Sequence, residues 1–281
     1  MLHIPVVLLA LRRLGGGGIR GSVLARLVRA AALVAATTSL VACNLQFSTG
    51  IEAKSAWSRT YKVADGATLE IREPNGRITI EAIDSKEIQV SATRIAKAPT
   101  EEAAKAAAEK IQINEQSSDD RVELDSTAGF QLTSGLSQRV DYDVKVPRTI
   151  SLAIKATNSQ ITVKSVTGMV KVEAVNGEIT VDGAEHGADI TTVNGRVILN
   201  LAKIGTGGAR VKSTNGEIEV SMPAGGKATV AARVTNGAVE TEGLTLQTTE
   251  KTHRRLDATL GGGGPEIRLD ATNGLIRIVG R

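Results

Sequence analysis

From Tyr61 onward, apolar and polar positions alternate along much of the chain with a period of two, the pattern of strands buried on one face. "ATLEIREPNGRITIEA" alternates on both sides of an Asn-Gly, and "EIQVSATRI" continues as another strand. One helical signal interrupts. Thr100 is placed to cap "EEAAKAAAEKIQI", with Glu101 and Glu102 in the first turn, which predicts a short helix near residues 100–113. Strands are expected again at Arg121–Asp125 and Val140–Val146, the latter stopped by Pro147. Residues 43–58, ahead of all this, are short, polar and without clear periodicity, and read as a tether.

Beyond Ile150 the alternation becomes a repeat. Aligned on one asparagine, the copies fall at Asn158, Asn176, Asn194, Asn215, Asn236 and Asn273, with an outlying copy at Asn75. Glycine follows as Gly76, Gly177, Gly195, Gly216, Gly237 and Gly274, and Ser159 is the one departure. Three positions after the asparagine stand Ile78, Ile161, Ile179, Val197, Ile218, Val239 and Ile276; the positions five after, four before and six before are apolar too. Only Thr241 breaks a column.

Two architectures satisfy these columns. In a meander of hairpins each Asn-Gly is a type I′ turn. In a β-solenoid each repeat is one coil, and like residues stack at the strand spacing of about 4.8 Å. The solenoid is favoured by the near-constant period, by columns of Val, Ile, Leu and Ala without bulky aromatics, and by polar outward positions. Glycine supplies the positive φ of a sharp corner. Asparagine can tolerate a left-handed conformation, or turn its amide inward to bond the same amide one coil away. On that reading Asn176, Asn194 and Asn215 form one column, and the Asn-Gly pairs are structural.

The repeated "NGxIxV", the opening "LEIREPNGRITI" and the closing "LGGGGPEIRLDATNGLIRI" resemble the putative-adhesin family of bacterial envelope β-solenoid domains. The resemblance runs from about Thr60 to Arg281. It implies an all-β fold, a right-handed parallel β-helix (residues 150–281) behind a β-rich N-terminal cap (59–149) that carries the short helix. It brings no catalytic residues. Two departures are Ser159 and the long insertion "LTLQTTEKTHRRLDATLGGGGP" between the last two copies.

Charge and composition narrow the function. The formal net charge is +4, but residues 1–43 hold Arg12, Arg13, Arg20, Arg26 and Arg29 and no acid. Without them the remainder is slightly negative, and only Phe47, Trp57, Tyr61, Phe130 and Tyr142 are aromatic. A nucleic-acid interface would need a basic patch and stacking rings, so nucleic acid is set aside as a partner. The apolar run "AALVAATTSLVA" after the arginines is too short to span a bilayer and has the proportions of a signal sequence. Leu40-Val41-Ala42-Cys43 resembles a lipobox, which would make residues 1–42 a lipoprotein signal peptide and Cys43 the acylated new N-terminus. Ordinary secretory cleavage near Ala42 is the alternative. Cys43 is the sole cysteine, so neither an intrachain disulfide nor a cysteine zinc site can form.

The remaining candidates for chemistry are thin. His186, in "AEHGAD", has no second histidine at ligand spacing and reads as a surface turn, so no metal or cofactor is expected. "THRRLD" places His253, Arg254 and Arg255 in the insertion, as an exposed loop or an anion-binding one. Gly261–Gly264 lacks the lysine and following helix of a phosphate loop. Glu217/Glu219 and Glu240/Glu242 are spaced as a glycosidase pair could be, yet they belong to a flat outward face. The expectation is therefore a non-enzymatic protein of the bacterial cell envelope, held to a membrane by lipid on Cys43. It would serve as an adhesin or scaffold for an unknown protein or glycan ligand. Asn44 after Cys43 is compatible with outer-membrane sorting. A polysaccharide lyase or hydrolase, and a sensory partner contacting another protein through an exposed coil end, are the alternatives.

Overall fold

Each repeat delivers one strand before its Asn-Gly corner and one after it, and in the computed structural model like strands lie side by side in parallel. The structure describes residues 50–127 and 136–281; the leader and Cys43 lie outside them. In the middle of the stack β8 (Met169–Asn176), β10 (Gly187–Asn194) and β12 (Gly208–Asn215) form the first face. Strands β9 (Ile179–Ala184), β11 (Val197–Leu201) and β13 (Ile218–Met222) form the second. Four longer strands run unbroken through the corner: β2 (Thr68–Ile83), β7 (Ser151–Lys164), β14 (Ala228–Glu242) and β17 (Glu266–Gly280). The fold is all-β with one helix among the described residues, and the parallel stacking favoured over a hairpin meander is the arrangement found.

The corner is constant and the return is not. Two residues separate β8 from β9 and β10 from β11, whereas the return takes two residues after β9 and six, 202–207, after β11. Inward residues of both faces meet in a single apolar core. Ile154, Val172, Ile190, Val211 and Leu269 make one buried column, and Ile161, Ile179, Val197, Ile218 and Ile276 another. The burial of such β-branched columns is the main stabilising term, about 25 cal/mol for each Å² of apolar surface removed from water.

The order of coils departs from the order of the chain. The copy at Asn75 is no outlier: β2 pairs with β7 in register from Thr68↔Ser151 to Glu81↔Lys164. At the far end β17 lies between β12/β13 and β14, so the last coil in sequence is the penultimate one in space. The long insertion makes this possible. It folds as β15 (Leu246–Lys251) and β16 (Arg255–Leu260), an antiparallel pair in which β16 covers the outer edge of β14. Gly261, Gly262 and Gly263 then turn the chain with φ of +58°, +86° and +89°, and it crosses the start of β14 where Thr229 N donates to Pro265 O. The same arrangement explains Thr241. It belongs to the outermost coil, where its side chain is only half-buried.

At the opposite end β5 (Arg121–Asp125) and β6 (Ser137–Pro147) pair in parallel with the two halves of β2. Antiparallel strands then take over: β3 (Glu87–Ala98) on β6, β1 (Ile51–Lys62) on β3, and β4 (Asn114–Ser117) on β5. From Ile51 onward the expected tether is thus a strand. Its alternation was hidden because Ala53 and Ser55 occupy its half-buried face beside Trp57. The helix α1 (Glu101–Lys110) is shorter than the 100–113 expected and lies against β1 and β3. Thr100 Oγ1 accepts from Ala103 N at 3.2 Å, and Arg94 Nη1 closes the other end by donating to Ile111 O at 3.2 Å.

Candidate functional site: the Asn-Gly edge

The glycine of each Asn-Gly corner has φ between +126° and +151°. Space constrains it as much as φ does. A Cβ on Gly195 would lie 1.8 Å from the carbonyl oxygen of Gly177 on the neighbouring coil, so a side chain there would hold the coils apart. Ser159 stands at the corner of β7 at a φ that is not positive, so it avoids the left-handed conformation of the glycines. Its Oγ is buried without a hydrogen-bond partner.

The asparagines join into one line. Asn236 Nδ2 donates to Asn273 Oδ1 at 2.9 Å, and Asn273 Nδ2 to Asn215 Oδ1 at 2.7 Å. The bonds from Asn215 to Asn194, Asn194 to Asn176, Asn176 to Asn158 and Asn158 to Asn75 are each 2.8 Å. The amides run along the outside of the corner, not inward. The inside is taken by another column, Ala156, Ala174, Thr192, Ser213, Ala271 and Val234, all buried. Those residues are small, which is what a tight corner admits.

Glu73 is the exception in that inner column. It is 1% exposed; its Oε1 accepts from Asn75 N at 2.9 Å and its Oε2 from the Ser126 hydroxyl. Burial drives its pKa up to about 8, pushed further by Asp141 and opposed by hydrogen bonds from Ser126 and the Asn75 and Val140 amides. Sequence reasoning passed over Glu73. The available signal was a lone carboxyl in a column of Ala, Thr, Ser and Val.

The other candidates are scattered. His186 is exposed in the return after β9, its carbonyl accepting from Gly207 N, while the neighbouring Glu185 pairs with Lys203 at 2.7 Å. His253 and Arg254 lie in the turn between β15 and β16, where their carbonyls accept from Val239 N and Val234 N. Glu217 and Glu219 share Arg196 of the adjacent coil at 3.4 and 2.6 Å, and Glu240 lies 3.5 Å from Arg277. Among the described residues no group of three or more His, Cys, Asp or Glu is arranged to hold a metal, and no helix is long and apolar enough to cross a membrane.

Coil stacking and corner together define a class: all-β domains of parallel stacked coils, fastened along one edge by a continuous amide ladder. The chain belongs to the Toastrack DUF4097 family, a domain family of unknown function, which matches residues 64–279. The resemblance read from "NGxIxV" is therefore a true membership. Among curated proteins none matches. Solved structures similar to the chain include a putative cell adhesion protein from Clostridium sporogenes, 13% identical, covering 81% of this chain and 100% of its own, with a TM-score of 0.42. A putative adhesin from Bacteroides fragilis is 12% identical over 82% of this chain and 98% of its own, TM-score 0.35. One from Parabacteroides distasonis is 12% identical over 80% and 97%, TM-score 0.34.

Proposed function

We propose that the chain is a non-enzymatic, adhesin-like protein of the bacterial envelope. Acylated Cys43 holds it to a membrane, and a protein or glycan ligand meets the outer faces of its coils, wound with the right hand usual for parallel β-crossovers. The observation that carries this reading is the exposed amide ladder, a row of hydrogen-bonding groups fixed in place before any ligand arrives. Such preorganisation lowers the ordering cost of binding. The carboxylates spaced as a hydrolytic pair are held by Arg196 on an open face, which suits a surface better than catalysis.

The test uses the lipidated full chain to recover ligands from envelope fractions, beside glycan-turnover assays. Specific recovery without turnover is the expected result, and turnover of any substrate by the purified protein overturns the reading. For the anchor, Cys43→Ala is expected to move the protein from the membrane to the soluble fraction. Unchanged retention counts against lipidation.

A further inference from the structure

We propose that the Asn75 end of the amide ladder is a binding subsite for a carboxylate-bearing saccharide. The inference rests on the reading of the chain as a ligand-binding envelope protein, and gives that ligand a place and a chemistry.

The ladder has a direction. Every bond runs from Nδ2 toward the Asn75 end, so each internal amide both donates and accepts. The two ends cannot. Asn236 keeps a carbonyl oxygen that accepts from no ladder amide, and Asn75 keeps an N–H group that donates to none. Amides in line polarise one another, which makes the Asn75 N–H a stronger donor than an isolated side chain.

The line stops at Asn75 for a structural reason. The next layer is β6, and its Val140 carbonyl passes so close to Gly76 that a Cβ there would lie 2.1 Å from the oxygen. No asparagine stands in that layer to accept the last N–H. Asn75 lines a cleft of about 850 Å³ instead.

Arg77 lines the same cleft. Its main-chain N–H is taken by Asp141 Oδ1 at 3.0 Å, while its guanidinium has no ion pair or hydrogen bond among the described residues. Arg139 is already engaged, with Glu52 at 3.3 Å and Asp141 at 3.8 Å. Among the described residues Arg77 is thus a cation without an ionic partner beside an amide donor that no ladder amide accepts, a pair suited to a carboxylate. Among the described residues the remaining wall is mostly polar, with Asn158, Gln160 and Ser137 matching sugar hydroxyls, and Pro74 and Leu136 are its apolar members.

The test titrates the full chain with tetragalacturonate and, as an uncharged control, maltotetraose, followed by calorimetry. Tetragalacturonate is expected to bind at least about tenfold more tightly than maltotetraose. Asn75→Asp keeps the acceptor for Asn158 but turns the terminal donor into an anion, and Arg77→Gln removes the cation. Each is expected to weaken tetragalacturonate by about tenfold or more without shifting thermal unfolding. Asn236→Asp, at the other end, should leave binding unchanged. No binding of tetragalacturonate by the wild type, or equal binding by wild type, Asn75→Asp and Arg77→Gln, overturns the proposal. If envelope fractions yield a ligand indifferent to both substitutions, the subsite fails while the broader proposed function stands.

Discussion

The middle coils and the ends of the stack solve different problems with the same repeat. Between β7 and β13 each coil meets a copy of itself on both sides, so identical columns bury one another and the asparagine amides are satisfied in both directions. At the ends the repeat has no successor, and other devices replace it. Antiparallel β16 covers β14, while at β2 the closure is electrostatic as well. Arg72 contacts Glu70 at 2.7 Å and Glu123 at 2.6 Å, and Arg121 also reaches Glu70. Repetition makes the interior less tolerant of change, because an error in one coil is transmitted to two neighbours. The termini are where variation, including a titratable core residue and a free donor, can be accommodated.

The largest expected contrast concerns backbone approach. Gly195→Ala in the middle must force coils apart against a carbonyl at 1.8 Å, and should cost about 4 kcal/mol or more, or prevent folding. Gly262→Ala at the far-end turn has φ of +86° but meets nothing within 4 Å, so only the left-handed penalty of about 1–2 kcal/mol applies. Chemical denaturation of both variants measures the difference; equal losses would remove the distinction. Next comes the core. Leu199→Ala, fully buried in a central coil, should lose about 2–5 kcal/mol, while Val239→Ala in the half-buried outer coil should lose under about 1 kcal/mol.

Glu73 sharpens the comparison through pH. Its pKa rises from 4.5 to about 8 on folding, chiefly by burial, so between those values the folded state retains a proton that the unfolded state has released. Stability therefore falls as pH rises through that window, by up to about 1.4 kcal/mol for each step of one in pH. Glu73→Gln should match the wild type near about pH 4 and exceed it by a few kcal/mol near about pH 9. A parallel pH profile for the two proteins would place the carboxyl in water. No middle coil should show this effect, since Ala156, Ala174, Thr192 and Ser213 fill the same column without charge.

Much of the interior was legible because burial repeats: Ile161, Ile179 and Val197 sit at one offset from their asparagines, and that offset sets the register. What the pattern could not carry was neighbour order. Columns establish that Asn236 and Asn273 are equivalent, not which of them touches Asn215; the exchange depends on a hairpin whose closing contacts are main-chain bonds to Arg254 and His253. The small inner column was missed for another reason. Alanine and threonine look neutral in a hydrophobic pattern, so their burial follows from the tightness of the corner, a property of three-dimensional packing. Trp57 and Tyr61 likewise have no strand partner in the local pattern; β3 supplies it through Ala92 and Ile88.

The smallest expected effect tests the ladder itself. Asn194→Ala removes two amide bonds in the middle, whereas Asn236→Ala removes the single bond at the end. Water can replace some of each in this exposed line, so losses of about 1 and about 0.5 kcal/mol are expected. If the amides act independently, the two costs should stand near two to one and add in the double variant, because the sites share no partner. A central loss well above twice the terminal one means that breaking the line weakens the bonds left on either side. Costs that are equal would show the ladder to be a consequence of coil register, with the glycine and the core columns setting the stack alone.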